Sequence, residues 1–273
     1  MNDTILEVAL RRDRLIIVAA LVALTALAWA DLWWLANDMA MGGMDMTGFR
    51  MVPAGVGMMM PAAAPWAPIE FSLVFAMWAV MMVGMMTPSI APMVLLYARV
   101  GRQAAAQNEP FAAATWFLFG YFLSWIGFSL FATLAQWGLE RAALLTPMMA
   151  GANDIVGGCV LIAAGLYQWT SLKTACLRQC QAPWSFLQRH GGFRREAGRA
   201  VALGVRHGAY CIGCCWTLMA LLFVGGVMNL PWIAALAAIV LIEKVIPLGR
   251  LIARIVGAGL VASGVWLVAA AIR

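Results

Sequence analysis

The chain has 273 residues, of which 64% are hydrophobic and 11% charged, with a formal net charge of +6. Soluble domains carry about 25% charged residues, and a run of ~20 apolar residues crosses a bilayer. The composition excludes a soluble catalytic or nucleic-acid-binding module. It predicts one all-α domain over residues 1–273, a polytopic transmembrane helix bundle in a lipid bilayer.

The first predicted span covers 15–35 and follows Arg11, Arg12 and Arg14. Ala28-Trp29-Ala30 resembles a small-residue cleavage site. The apolar run continues past it through Leu32-Trp33-Trp34-Leu35, so a retained helix is preferred over a cleaved signal.

A connection over 36–68 follows. Eight methionines lie between Met39 and Met60, among them Met39, Met41, Met44 and Met46, with Asp38 and Asp45 beside them. Thioethers are soft ligands that suit Cu(I), and they do not form disulfides. Met density between glycines, with almost no Leu, Ile or Phe, points to metal capture rather than packing. The alternative is a flexible loop whose apolar residues rest on the membrane.

The second span, 69–98, carries Met77, Met81 and Met85 at helical spacing, with Met82 and Met86 as an adjacent stripe. From Met77 to Met86 the rise is about 14 Å, nearly half of the ~30 Å hydrocarbon core. The stripe is either a thioether ladder or ordinary packing. A kink at Pro88 and Pro92 would free carbonyls that neighbouring helices or a cavity must satisfy.

The third span, 111–139, is aromatic and holds no ligand cluster. The fourth, 153–171, opens on Asn153 and Asp154, where Asn153 is a candidate cap, and contains Cys159, read as a small apolar filler. The connection 172–204 is basic. Within it, Cys176 and Cys180 share one face if the segment stays helical, and nearby Lys173 and Arg178 favour thiolate over thiol.

The fifth span, 205–228, begins with His207-Gly-Ala-Tyr-Cys211-Ile-Gly-Cys214-Cys215-Trp216. At about 100° per residue, Cys211, Cys214, Cys215 and His207 fall within roughly 100° of arc. Thiolates and imidazole suit Cu(I) and zinc. The alternative is that small residues only let helices approach closely. The Asn229-Leu-Pro231 turn is short, which predicts an antiparallel pair with the sixth span, 231–246. That span ends on Glu243-Lys244, either an interfacial anchor, the preferred reading, or an internal ion pair. The seventh covers 251–272.

With the N-terminus in the cytoplasm, 15 of the 18 lysines and arginines fall on the inner side. The apolar runs predict about seven spans, and that bias predicts N-terminus in and C-terminus out, in the inner (cytoplasmic) membrane of a bacterium. The 36–68 loop is then outer, and 172–204 is inner. Thiols on the inner side stay reduced, which favours metal binding over structural disulfides.

Several elements together resemble a bacterial family of predicted metal-binding integral membrane proteins. They are Trp78-Ala-Val-Met-Met-Val-Gly-Met-Met-Thr-Pro-Ser89 with Pro92, Tyr167-Gln168 through Lys173 to Cys176 and Cys180, the His207–Trp216 stretch, and Glu243-Lys244. One branch of that family is associated with copper supply to a tyrosinase-type polyphenol oxidase. The resemblance implies copper handling without enzymatic turnover, with a copper-dependent enzyme or a copper chaperone as partner.

Ligand chemistry leads the same way. Met39, Met41, Met44 and Met46 are expected to collect Cu(I), and Met77, Met81, Met82, Met85 and Met86 to relay it. Cys211, Cys214 and Cys215, with Cys176, Cys180 and His207, are expected to form the inner site. Zinc is the second metal considered, since it gains little from thioethers. Two other readings stay open: a membrane thiol–disulfide oxidoreductase using Cys211, Cys214 and Cys215, and a structural accessory subunit in which Met and Cys only pack.

Overall fold

The computed structural model describes residues 5–40, 49–54, 58–61, 64–106, 112–146, 149–190 and 196–273, with the backbone alone at 5–13, 40, 105 and 106. In chain order the elements are α1 (Ile5–Ala40), β1 (Phe49–Met51), β2 (Met59–Pro61), α2 (Pro68–Ala106), α3 (Ala114–Arg141), α4 (Asp154–Tyr167), α5 (Ser171–Gln181), α6 (Pro183–Arg189), α7 (Ala197–Ala220), α8 (Leu222–Gly225), α9 (Leu230–Val245) and α10 (Gly249–Ala271).

Among the described residues the architecture is all-helical apart from one small hairpin. Five helical stretches, in α1, α2, α3, α7–α8 and α10, are long and apolar enough to cross a membrane. The α4–α5 pair makes a sixth, bent by 64° at the break between them. α9 has 16 residues, short of the ~20 that span the hydrocarbon straight. Length and composition among the described residues thus give five spans, or six with the bent pair.

Local chemistry explains the breaks. Asn153 caps α4 by accepting from the Ile155 and Val156 N–H groups, as its position in the sequence suggests. Thr170 breaks the helix and caps α5, its hydroxyl accepting from the Lys173 N–H at 3.2 Å. Residues 172–204, read from sequence as a basic loop, therefore hold α5, α6 and the start of α7. Gly226 turns the chain at φ 96°, a conformation side chains rarely adopt, and Asn229 with Pro231 starts α9. α9 then lies against α2, α5 and α10 as well as α7.

Both prolines of α2 sit inside a continuous helix. Nearby hydroxyls take up main-chain carbonyls there: Thr87 donates to Val83 at 2.6 Å and Ser89 to Met86 at 2.9 Å. Small residues set the tightest helix pairs, as in membrane bundles generally. A Cβ at Gly165 would lie 2.7 Å from the Gly257 carbonyl oxygen, so α4 and α10 touch through glycine. α3 and α7 meet likewise, where a Cβ at Gly120 or Gly204 would strike the Val201 or Phe117 carbonyl.

Half of the most apolar window of α2 and of α7 is buried, against 17% in α1 and in α10. α2 and α7 are therefore the central helices. The outward faces present Leu27, Phe131, Ile255 and Trp266, an apolar surface suited to lipid tails.

Candidate metal centre

The two central helices carry the soft side chains. On α7, His207, Cys211, Cys214 and Cys215 are all buried, as one helical arc requires. Gly204 and Gly208 let α3 close on this face, and Tyr121 of α3 brings its hydroxyl to 3.0 Å from the Cys211 sulfur. Cys214 and Cys215 turn back along the helix, their Sγ atoms 3.1 and 3.0 Å from the Cys211 carbonyl oxygen. From α5, Cys180 lies beside Cys211 and Cys214. Cys176, one turn earlier, packs on Gly213, where a Cβ would come within 2.8 Å of its sulfur. All six cysteines are free, and Cys159 stands apart, exposed on α4.

Lys244 of α9 is the hub of this cluster. Its ammonium lies 2.8 Å from Cys211 Sγ, 3.4 Å from Ser89 Oγ and 3.8 Å from Met86 Sδ. An ammonium can only donate, so each of these atoms accepts. Beside it, Glu243 pairs with Lys173 at 2.6 Å, and both side chains are almost wholly buried. Lys173 also donates to Gln168, and Gln181 donates to the Glu243 carbonyl at 2.7 Å. The sequence reading of Glu243-Lys244 as an interfacial anchor is thus corrected: the pair faces inward because Lys173 of α5 and Cys211 of α7 supply partners that an anchor would find in water.

The methionines of α2 join this cluster to the opposite end of the bundle. Met77, Met81, Met82, Met85 and Met86 are all buried. Met86 reaches Lys244, while Glu70, one end of the same helix, is held by the hairpin. Arg50 of β1 forks onto Glu70 at 2.6 and 2.9 Å and donates to the Pro61 and Ala64 carbonyls at 3.0 and 2.9 Å. The hydrogen bond to Glu70 raises the Arg50 pKa above its usual value. Met39 at the end of α1 and Met51 in β1 are buried, while Met58 and Met59 are exposed. Met41, Met44 and Met46 lie outside the described residues.

Lysine keeps the charge of arginine but not its planar fork. Arg50→Lys is therefore expected to loosen the hairpin by about 1–2 kcal/mol. Limited proteolysis of 36–68 checks this, with faster cleavage than in the unaltered protein.

His207 lies apart from the sulfur contacts. It is buried among the rings of Phe117, Tyr121 and Phe186, with centroids at 5.9, 6.0 and 4.8 Å. Its Nδ1 has no hydrogen-bond partner among the described residues. Among those residues, no three His, Cys, Asp or Glu side chains converge in a geometry that could hold a metal ion. The sulfur side chains brought together are Cys180, Cys211, Cys214 and Cys215 with Met86 on their border; Cys176 is adjacent. Sequence reasoning did not place Tyr121 and Lys244 here. For Lys244 the available signal was an ionisable pair inside an apolar run, which in a membrane marks function by default.

A scan against protein-family models matches residues 75–267 to the family described as PpoB2, copper chaperone. No curated protein and no solved structure matches the chain.

Proposed function

We propose a function from one premise: the chain belongs to the PpoB2 copper chaperone family, whose model spans more than half of it. The protein binds Cu(I) within the bilayer and hands it on for maturation of a copper enzyme, without catalytic turnover of its own. The observation that carries this reading is the Lys244 ammonium, which touches Cys211 Sγ and Met86 Sδ together. The buried methionine stripe of α2 and the cysteine cluster of α7 and α5 therefore meet at one point. Thioethers with thiolates form a ligand set for soft Cu(I), while zinc draws little from thioethers.

Met39, Met41, Met44 and Met46 collect the ion on one side, and Met77, Met81, Met82, Met85 and Met86 form the path. Cys211, Cys214, Cys215 and Cys180 receive it, with Cys176 beside them, while His207 stays enclosed by its three aromatic rings. Copper is cargo in this scheme. It enters by displacing Lys244 from Cys211, replacing one positive charge beside the sulfur with another. A cluster held open by a lysine, rather than a preset ligand triad, suits an ion that must also leave.

The protein lies in the inner membrane with seven spans, N-terminus in and C-terminus out, α9 and the bent α4–α5 pair both crossing. The distribution of 15 of 18 basic residues on one side supports this orientation. The cysteine cluster is then at the inner, reducing end and the methionine hairpin at the outer, oxidising end.

Anaerobic loading of the purified protein with Cu(I), and separately with Zn(II), tests the function. Copper retained through desalting, at higher occupancy than zinc, is expected. Zinc alone would turn the cluster into a structural zinc site. Neither metal, with thiol–disulfide turnover instead, would favour an oxidoreductase and overturn the copper reading.

A further inference from the structure

We propose that the corner between α4, α5 and α10 is a binding site for a phosphate group, carried by an anionic lipid. The site is a cavity of about 120 Å³ lined by Gln168, Trp169, Lys173, Arg178, Arg250 and Arg254, among others. Ligand pockets for whole cofactors begin near ~300 Å³, so this one takes a headgroup-sized anion.

The geometry follows from the fold. The 64° bend after α4 opens a wedge that the start of α10 fills. Gly165 and Gly257 bring the two helices together, and Trp169 fixes their register by donating to the Arg254 carbonyl at 3.1 Å. Arg250 and Arg254 are four residues apart, hence on one helix face, and Arg178 approaches from α5.

Three observations point to an anion. None of these three arginines has an ion-pair partner among the described residues. Like charges at this spacing repel, and no carboxylate lines the cavity to offset them. The third is Gln168, a buried wall residue whose Nε2 donor has no partner among the described residues. Its Oε1 accepts from Lys173, so the free group is the amide N–H, a donor. Lys173 at the back is already neutralised by Glu243, which leaves the arginine charges unanswered. Three guanidinium groups and an unpaired amide form a donor set suited to phosphate oxygens.

Exposed Leu172, Leu251 and Ile255 and the indole of Trp169 flank the cavity, as at the rim where headgroups lie. A basic pocket between helix ends of this kind is how membrane proteins hold anionic headgroups. The site is distinct from the copper cluster, although the Lys173–Glu243 pair lies between them.

The test uses the full chain in zwitterionic micelles, titrated with short-chain phosphatidylglycerol and, separately, with soluble glycerol phosphate, and reads binding by calorimetry. Arg178→Gln/Arg250→Gln/Arg254→Gln is compared with Arg189→Gln/Arg199→Gln/Arg206→Gln, which removes equal charge elsewhere. Charge-assisted hydrogen bonds imply about tenfold weaker binding per pocket arginine, while the control triple binds as before. Binding of both probes assigns the site to the phosphate itself, and binding of the lipid alone assigns it to a headgroup in place. Equal loss in both triple variants, or no binding of either probe, overturns the proposal. Should the pocket triple fail to fold, Arg254→Gln alone is measured against the same criteria.

Discussion

Cys211→Ser, combined with Cys214→Ser and Cys215→Ser, is expected to lower Cu(I) affinity by at least about 100-fold, since even indirect supports of a metal ligand are worth ~10–100-fold. The substitution exchanges a soft sulfur for a hard oxygen at nearly constant shape, so selectivity for Cu(I) is lost with affinity. Folding should survive. Cys214 and Cys215 now bond back to the Cys211 carbonyl, and a serine hydroxyl makes the same bond to the preceding turn. Of the three single variants, Cys211→Ser is expected to cost most. Only Cys211 contacts Tyr121 and Lys244 as well as Cys180. Competition with a Cu(I) chelator of known affinity measures each step. Equal retention of copper by the triple variant would remove the cluster from the account.

The second large effect concerns stability. Glu243→Ala is expected to cost about 3–5 kcal/mol, because it strands the Lys173 ammonium in the bundle interior. The Lys173 and Glu243 side chains are 1% and 2% exposed, so water cannot rescue the cation. A Tm fall of roughly 10 °C in detergent follows at that cost for a chain of this size. The double variant Lys173→Met/Glu243→Leu removes both charges and is expected to recover most of the loss, since a buried pair replaced by apolar groups is often neutral. Thermal unfolding of the single and double variants decides this. A double variant as unstable as the single would show that the pair contributes through some route other than charge compensation.

What the sequence made legible was whatever one helix carries alone. The arc shared by His207, Cys211, Cys214 and Cys215 depends only on helical period, and burial of all four follows it. The same holds for the methionine stripe from Met77 to Met86. The Asn153 cap was equally readable because capping is local.

Contacts between helices were not readable. Nothing in the spacing of Glu243-Lys244 says that Lys173 lies seventy residues away across the bundle, or that Cys180 reaches α7. Without those partners, the cheaper reading was a pair of charges seeking water. The bend at Gln168–Thr170 was hidden for a related reason. The predicted fourth span ends there at 171, but that a new helix starts at once and turns by 64° depends on the Thr170 hydroxyl capping α5. The strands of β1 and β2 are only three residues each, too short for an alternating pattern to show, and Arg50 holds the hairpin's base through an ion pair with α2. His207 shared the predicted arc, yet three aromatic rings enclose it and keep it out of the sulfur contacts.

The proposed function requires that thiols and thioethers of this chain hold copper together. X-ray absorption at the copper edge of anaerobically Cu(I)-loaded protein tests it most directly. The expected first shell is sulfur only, altered by Met86→Leu and lost with Cys211→Ser/Cys214→Ser/Cys215→Ser. A first shell of nitrogen and oxygen, or a spectrum unchanged by those substitutions, would contradict it.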